Sequence, residues 1–162
     1  MKIPVAWLAW VVAVALVATL LWLALLWRPA RQVELHTWDL LARASARDWP
    51  AVAEMMAADY RDEWGQTREG AVDTARTLFS NFFILHIRPL EPWKIAVGAE
   101  GAESSATIGV FGTGTAVAEM VMEEVRSVSE PTVFRWRKSG RWPWDWELSG
   151  AGNGALAGRY PR

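Results

Sequence analysis

The sequence predicts an α+β fold behind an N-terminal transmembrane helix, and three observations support this class. Residues 3–27 carry no charged side chain. Residues 33–83 repeat apolar side chains at three- and four-residue intervals, as amphipathic helices do. From residue 84 onward the pattern moves toward alternation, with short turn signals between segments. Helices followed by hairpin-linked strands are typical of an α+β domain, and turns this short require antiparallel pairing.

The apolar run at residues 3–27 predicts a single-pass membrane anchor whose partner is the lipid bilayer. A helix of this length rises roughly 37 Å, and the hydrocarbon core of a bilayer is about 30 Å thick. Tryptophans stand near both ends, at the depth that indole rings favour. They are Trp7, Trp10, Trp22 and Trp27. A cleaved secretory signal is the alternative, although Trp27-Arg28-Pro29 is a poor cleavage site. The distribution of Lys and Arg leaves the side of the membrane undecided.

Four segments are expected: the anchor at 3–27, a linker at 28–32, a folded domain at 33–149 and a flexible tail at 150–162. The formal net charge is −1 and the signs are mixed, so we expect no nucleic acid as partner. The chain has no cysteine and two histidines, which leaves few ligands for zinc. We expect neither a metal nor a cofactor.

Three helices are predicted at the start of the domain. The first covers residues 33–47. Asp48 is expected to cap the second helix, with Pro50 in its first turn. Thr67 is expected to cap the third, whose apolar stripe continues to Phe83.

Six strand candidates follow, at 84–88, 92–98, 104–112, 117–128, 132–138 and 141–149. For the last hairpin we predict a three-residue loop, Lys138 to Gly140, with Gly140 in the left-handed region. This register pairs Trp136 with Trp142. It places five aromatic side chains on one face, and a one-residue slip would exchange the faces. These side chains are Phe134, Trp136, Trp142, Trp144 and Trp146.

Several short stretches carry a family resemblance: Ala44-x-x-Arg47-Asp48-Trp49, residues 52–56, Asp59-Tyr60 and residues 133–142. Residues 32–149 resemble the nuclear transport factor 2-like superfamily, which includes ketosteroid isomerase-like and polyketide cyclase-like (SnoaL-like) domains. The resemblance implies three helices wrapped by a curved antiparallel sheet, in a cone-shaped α+β barrel around a pocket.

The resemblance also implies where a catalytic base would stand. Isomerase-like members use a carboxylate base with a tyrosine and a protonated Asp. Asp62 lies in a plausible place for the base, or it is a solvated acid paired with Arg61 or Arg68. His86 is a second candidate base, because imidazole titrates near neutrality, or it is structural. The stretch expected to hold the tyrosine carries none, so the catalytic set is incomplete.

We therefore expect a membrane-tethered module that binds a small apolar ligand or a protein. The aromatic face would cover a pocket, form a sheet-to-sheet homodimer contact or simply pack the core. One alternative is an isomerase- or cyclase-type enzyme with Asp62 or His86 as base on an apolar substrate. Another is an accessory factor of a membrane complex.

Overall fold

A computed structural model describes residues 5–157. The helices are α1 (Val5–Leu26), α2 (Pro29–Ala46), α3 (Trp49–Glu54), α4 (Arg68–Phe79), α5 (Ala116–Ser127) and α6 (Gly154–Ala157). The strands are β1 (Phe82–Pro89), β2 (Lys94–Val97), β3 (Ala102–Ala106), β4 (Ile108–Gly114), β5 (Thr132–Lys138) and β6 (Trp146–Gly152). The predicted α+β class is confirmed.

The helix caps form at the predicted residues. The Asp48 carboxylate accepts a hydrogen bond from the Ala51 N–H at 3.3 Å and begins α3. The Thr67 hydroxyl accepts one from the Gly70 N–H at 3.3 Å and begins α4. Between α2 and α3 the chain reverses at Arg47, whose φ of 59° is left-handed. This tight reversal lets α3 pack against α2.

The third predicted helix corresponds to α4, and it ends earlier than the sequence predicted. Its last residue is Phe79, and Phe82 and Phe83 belong to β1. The Asn81 amide donates to the carbonyls of Thr77 and Leu78, at 3.1 and 3.2 Å, and so covers the exposed end of α4. The predicted helix was too long because apolar residues continue at helical spacing beyond Phe79.

Two curved sheets wrap the helices, and all their strand pairs are antiparallel, as predicted. β1 pairs with β4, and the other sheet has the order β2-β3-β5-β6. The predicted strand 104–112 is divided between the two sheets at Thr107. There the Thr107 N–H and hydroxyl both donate to the Glu91 carboxylate at 3.2 Å. These bonds satisfy the backbone where the chain passes from one sheet to the other.

The predicted strand 117–128 is wrong, because this segment is the helix α5. Ala118, Val121, Met122 and Val125 recur at helical spacing and pack beside β1 and β4. Ala, Glu and Met are also good helix formers. The helical spacing and the helix propensity are both visible in the sequence, and together they outweigh the alternation of valines that suggested a strand.

The predicted loop of the last hairpin is also wrong. Trp136 pairs with Leu148 and Lys138 with Trp146, so the connection comprises residues 139–145. Asp145 closes it, since its carboxylate accepts from the Trp142 N–H at 2.8 Å. Pro143 lacks an N–H and suits a loop better than a paired strand. Gly140 does not adopt the predicted left-handed conformation. Among the described glycines, Gly65 and Gly112 have positive φ.

The aromatic face is consequently divided. Phe134, Trp136 and Trp146 are buried, whereas Trp142 and Trp144 lie in the loop and are 54% and 66% exposed. The face predicted from alternation therefore exists only where β5 and β6 actually pair.

A buried polar network fastens the inner tryptophans to α2. The Trp136 Nε1–H donates to Ser104 Oγ at 3.0 Å, and Ser104 Oγ lies 2.8 Å from Thr37 Oγ1. The Trp146 Nε1–H donates to Gln32 Oε1 at 2.7 Å. Both indole N–H groups are thus satisfied inside the core.

The N-terminal segment differs from its prediction in two respects. Pro29 begins α2, so residues 28–32 are not an extended linker. Within residues 5–157, no single helix combines the length and apolar character needed to cross a membrane. Trp10–Leu25 and Pro29–Ala46 reach that criterion only as a pair, with a bend of 74° between them.

The C-terminal boundary predicted at 149 falls inside β6, which continues to Gly152. The small residues here permit close packing. A Cβ on Gly150 would lie 2.7 Å from the Arg61 carbonyl oxygen, and one on Gly152 would meet the Glu63 carboxylate. Gly150, one of the glycines that suggested a flexible tail, is therefore needed for close packing against the backbone at Arg61. Residues 158–162 of the predicted tail lie outside the described residues.

Candidate functional site

A cavity of about 300 Å³ lies between the helices and the inner face of the sheets. This volume is at the low end of the roughly 300–1,000 Å³ typical of small-molecule sites. Its walls are mainly apolar and come from α2, α3, α4, the end of α5 and the strands. Prominent lining residues are Leu40, Val52, Met56, Val72, Phe79, Phe134 and Leu148.

Local structure explains one wall of the cavity. Asp48 and Pro50 begin α3 and place Trp49 at its first position. The Trp49 ring stacks on Phe79 of α4, with centroids 6.2 Å apart and an interplanar angle of 5°. Phe79 in turn meets Phe82 edge-on at 5.9 Å. This aromatic series joins α3, α4 and β1 on one side of the cavity.

Tyr60 is the most informative polar group in the lining. It follows α3, is only 4% exposed as a residue, and makes no side-chain hydrogen bond in the part of the chain that the structure describes. The fully buried donors without a partner in that part are Arg47 Nε, Trp64 Nε1 and Trp93 Nε1, so the Tyr60 hydroxyl is in contact with accessible space. Burial raises the pKa of the Tyr60 phenol well above its ordinary 10.0; the charge of Asp62 raises it further, and Arg135 opposes this. Tyr60 therefore stays neutral and keeps its proton available for donation.

The remaining polar lining residues lie on the chain around β5 and β6. The Asn153 amide donates to the Glu130 carbonyl at 2.9 Å and to Thr132 Oγ1 at 3.3 Å. Glu130 also contributes to the lining and is exposed. Tyr60 and Glu130 are the ionisable residues among the described lining.

The structure brings neither predicted base to the cavity. Asp62 Oδ1 accepts hydrogen bonds from the N–H groups of Trp64 and Gln66, at 3.0 and 2.7 Å, and closes a turn after α3. His86 is exposed on β1, opposite Phe111 of β4. Neither side chain lines the cavity.

The five predicted aromatic residues have three different locations. Phe134 lines the cavity. Trp136 and Trp146 lie deeper, in the network with α2. Trp142 and Trp144 stand outside on the loop. Across the described chain, no three His, Asp or Glu side chains are grouped closely enough to hold a metal ion.

Sequence reasoning missed Tyr60 as a site residue. The Asp59-Tyr60 pair contributed to the family resemblance, but nothing local showed that the ring would be buried against a cavity.

Comparison with known proteins gives a fold rather than a close relative. No family model matches the chain, and no curated protein matches it significantly. Solved structures do match. An NTF2-like protein from Cytophaga hutchinsonii is 16% identical with a TM-score of 0.53, covering 76% of this chain and 95% of that one. The protein has the nuclear transport factor 2-like fold.

Two further solved structures share this nuclear transport factor 2-like fold with the chain. The hexachlorocyclohexane dehydrochlorinase LinA-type3 from Novosphingobium barchaimii is 11% identical with a TM-score of 0.52, covering 73% of this chain and 80% of that one. ActVI-ORFA from Streptomyces coelicolor is 9% identical with a TM-score of 0.51, covering 75% and 90%. At these identities the likeness concerns the fold alone.

Proposed function

We propose that this nuclear transport factor 2-like domain binds a small, uncharged, apolar ligand in the cavity. The observation that carries the proposal is an apolar cavity whose lining includes the Tyr60 phenol, which is neutral and makes no hydrogen bond to another described residue. A bound molecule could accept a hydrogen bond from this phenol in place of water.

The lining restricts the chemistry of the ligand. A neutral phenol donates to a carbonyl, ether or hydroxyl oxygen, so the ligand carries one such acceptor. No Lys, Arg or His is among the lining residues, and an anion would be poorly compensated in apolar surroundings. The ligand is therefore uncharged over the part that enters the cavity.

An isomerase- or cyclase-type enzyme is the second candidate, because enzymes occur among the structural neighbours. Asp62 and His86 no longer support it, since neither lines the cavity. The one carboxylic acid among the described lining residues is Glu130, which such chemistry would have to use. Loss of turnover with retained binding in a Glu130→Gln variant would favour this candidate over binding alone.

Anchoring of the domain in a lipid bilayer by α1 is the other part of the proposal. The large side chains from Trp10 to Leu25 are 36–73% exposed. A continuous apolar surface of this kind requires apolar surroundings. A homodimer through the sheet also stays a prediction. Phe134, Trp136 and Trp146 of the aromatic face predicted to form it are buried, so we propose exposed Phe83 and Ile84 of β1 as the contact instead. Action as an accessory factor within a membrane complex is compatible with the same tether.

Native mass spectrometry of the full chain released from lipid nanodiscs tests the ligand. We expect a discrete added mass on the wild-type protein. Ala75→Leu fills the cavity and should remove that mass, whereas Thr74→Leu, at the exposed neighbouring position on α4, should retain it.

Thermal unfolding supplies an independent readout. 2-Acetylnaphthalene, which is apolar and has one carbonyl, should raise the melting temperature of the wild type and of Thr74→Leu but not of Ala75→Leu. Absence of both the added mass and the stabilisation would contradict ligand binding.

A further inference from the structure

We propose that residues 139–145, called here the tryptophan loop, dock onto the surface of a lipid bilayer beside the end of α1. Trp142 and Trp144 would lie at the level of the lipid headgroups. This inference rests on the proposed anchoring by α1 and adds a second, separate membrane contact.

The first observation is the exposure of two large aromatic rings on a short loop. Trp142 and Trp144 are 54% and 66% exposed and stack in parallel, with centroids 5.3 Å apart and an interplanar angle of 2°. Exposed apolar patches with adjoining polar groups commonly mark interaction sites. Indole is enriched at membrane interfaces because its ring is apolar and its N–H bonds to water or headgroups.

The second observation is that the loop is held in place. Lys138 Nζ donates to the Trp142 carbonyl at 2.5 Å and to Gln32 Oε1 at 3.2 Å. His36 Nε2 lies 3.3 Å from the Trp144 carbonyl, and the Asp145 carboxylate accepts from the Trp142 N–H. These bonds tie the backbone to α2 while the two indole rings stay outside. The rings are therefore presented on a fixed support.

The third observation is the position of the loop beside the end of α1. The Trp142 ring lies 6.5 Å from that of Trp27, which directly follows α1 and is itself 49% exposed. A cleft of about 290 Å³ opens between Leu23, Leu35 and Trp144. If α1 enters a bilayer, Trp27 stands at its surface, and Trp142 stands at the same level.

The bend and the charges agree with this placement. The axes of α1 and α2 differ by 74°, so α2 lies nearly along the plane of a membrane that α1 enters.

Arg28 and Arg141 are exposed, and neither forms an ion pair within the described part of the chain. Free cations beside interfacial aromatics suit anionic phospholipid headgroups. A protein partner would not by itself require both rings to lie level with the end of α1.

Docking would restrict the orientation of the domain. A single helix leaves a tethered domain free to rotate and tilt, whereas a second contact beside it fixes the domain relative to the bilayer. The cavity would then keep one orientation relative to the bilayer.

Depth-dependent fluorescence quenching tests the proposal on the full chain. Because the protein has no cysteine, Ser139→Cys places one nitrobenzoxadiazole label on the loop. Ser129→Cys, an exposed position before the opposite end of β5, is the matched control. Both proteins are reconstituted in phosphatidylcholine–phosphatidylglycerol vesicles that contain nitroxide lipids.

We expect quenching and blue-shifted emission for the label at Ser139→Cys and neither for the label at Ser129→Cys. Combining Ser139→Cys with Trp142→Ser and Trp144→Ser should abolish the quenching. Circular dichroism and resistance to alkaline extraction should stay unchanged, because the loop tryptophans support neither the core nor α1.

The possible failures are distinguishable. A protein released by alkaline extraction would overturn the anchoring and the docking together. An extraction-resistant protein with an unquenched loop label would overturn the docking alone. Blue-shifted emission that depends on protein concentration, without lipid quenching, would assign the loop to a second copy of the chain and reject the membrane.

Discussion

Four tryptophans in eleven residues of this chain have opposite environments. Trp136 and Trp146 are 1% and 6% exposed, whereas Trp142 and Trp144 are mostly open to solvent. The buried pair is distinguished by its N–H partners, Ser104 and Gln32. An indole is buried readily where its N–H finds an acceptor, and here α2 and β3 supply the acceptors. Aromatic content alone therefore does not identify the core.

The largest expected contrast is between two truncations. Trp136→Ala should lower the free energy of unfolding by about 3–5 kcal/mol, because it removes a fully buried ring. Trp142→Ala should change it by no more than about 0.5 kcal/mol, because the ring is exposed. Urea unfolding of the full chain in detergent measures both. Equal losses would show that the loop tryptophans belong to the core.

The second contrast concerns the hydrogen-bond partner. Ser104→Ala leaves the Trp136 N–H and the Thr37 hydroxyl without their shared partner, and should cost about 1–3 kcal/mol. Ser105→Ala, the next residue of the same strand, should have an effect within about 0.5 kcal/mol. A neutral Ser104→Ala would mean that burial of the ring does not depend on this acceptor.

A substitution at Tyr60 distinguishes an effect on ligand affinity from an effect on the free energy of unfolding. Tyr60→Phe should leave the ligand-free protein equally stable or more stable, since the hydroxyl has no protein partner. It should weaken binding of 2-acetylnaphthalene about three- to tenfold, the equivalent of one hydrogen bond of about 0.5–1.5 kcal/mol. Calorimetry in nanodiscs, corrected for empty nanodiscs, measures the affinity.

The matched ligand for this variant is 2-ethylnaphthalene, which has a similar shape and no carbonyl. Its affinity should be the same for wild type and Tyr60→Phe. A parallel loss for both ligands would indicate a change of cavity shape and would remove Tyr60 as the donor.

The smallest effect is expected on the solvent-facing side of β5. Two hydrogen bonds from Arg137, at 2.7 and 2.9 Å, together with a backbone hydrogen bond, hold the pKa of the Asp59 carboxyl below its ordinary 3.8. A depressed pKa in the folded state contributes stability above the ordinary value, and that contribution is lost as pH falls through the folded pKa. The pair is exposed, so the contribution is small and sensitive to salt.

Asp59→Asn tests the predicted direction of this pH dependence. The small difference in melting temperature between wild type and variant should be present near neutral pH and should vanish as the pH falls below 3.8. Asp73→Asn, on the exposed face of α4, provides the control. A difference that grows on acidification would contradict the assignment.

Local rules predicted the features that local physics decides. Asp48 and Thr67 cap helices because each side chain bonds to a backbone N–H three residues away. Period and turn signals gave the α+β class and the antiparallel pairing. The error at α5 was avoidable, since Val121, Met122 and Val125 already follow the helical period.

The register between β5 and β6 could not be predicted from local sequence. Pairing Trp136 with Trp142 and pairing it with Leu148 both bury aromatic side chains, so alternation cannot distinguish them. The outcome depends on Gln32, which lies 114 residues before its partner Trp146. Asp62 was misjudged for a similar reason, because its carboxylate is used by a turn and not by the cavity.

By itself, the sequence determined the class of the domain, the helix caps and the strongly apolar character of the N-terminal segment, because each depends on neighbours within a few residues. Only the tertiary structure decided which tryptophans are buried, that Tyr60 lines a cavity, and that Trp27 lies beside the tryptophan loop. Those outcomes depend on contacts between residues far apart in the chain, where packing and hydrogen-bond satisfaction select one arrangement among several with the same local pattern.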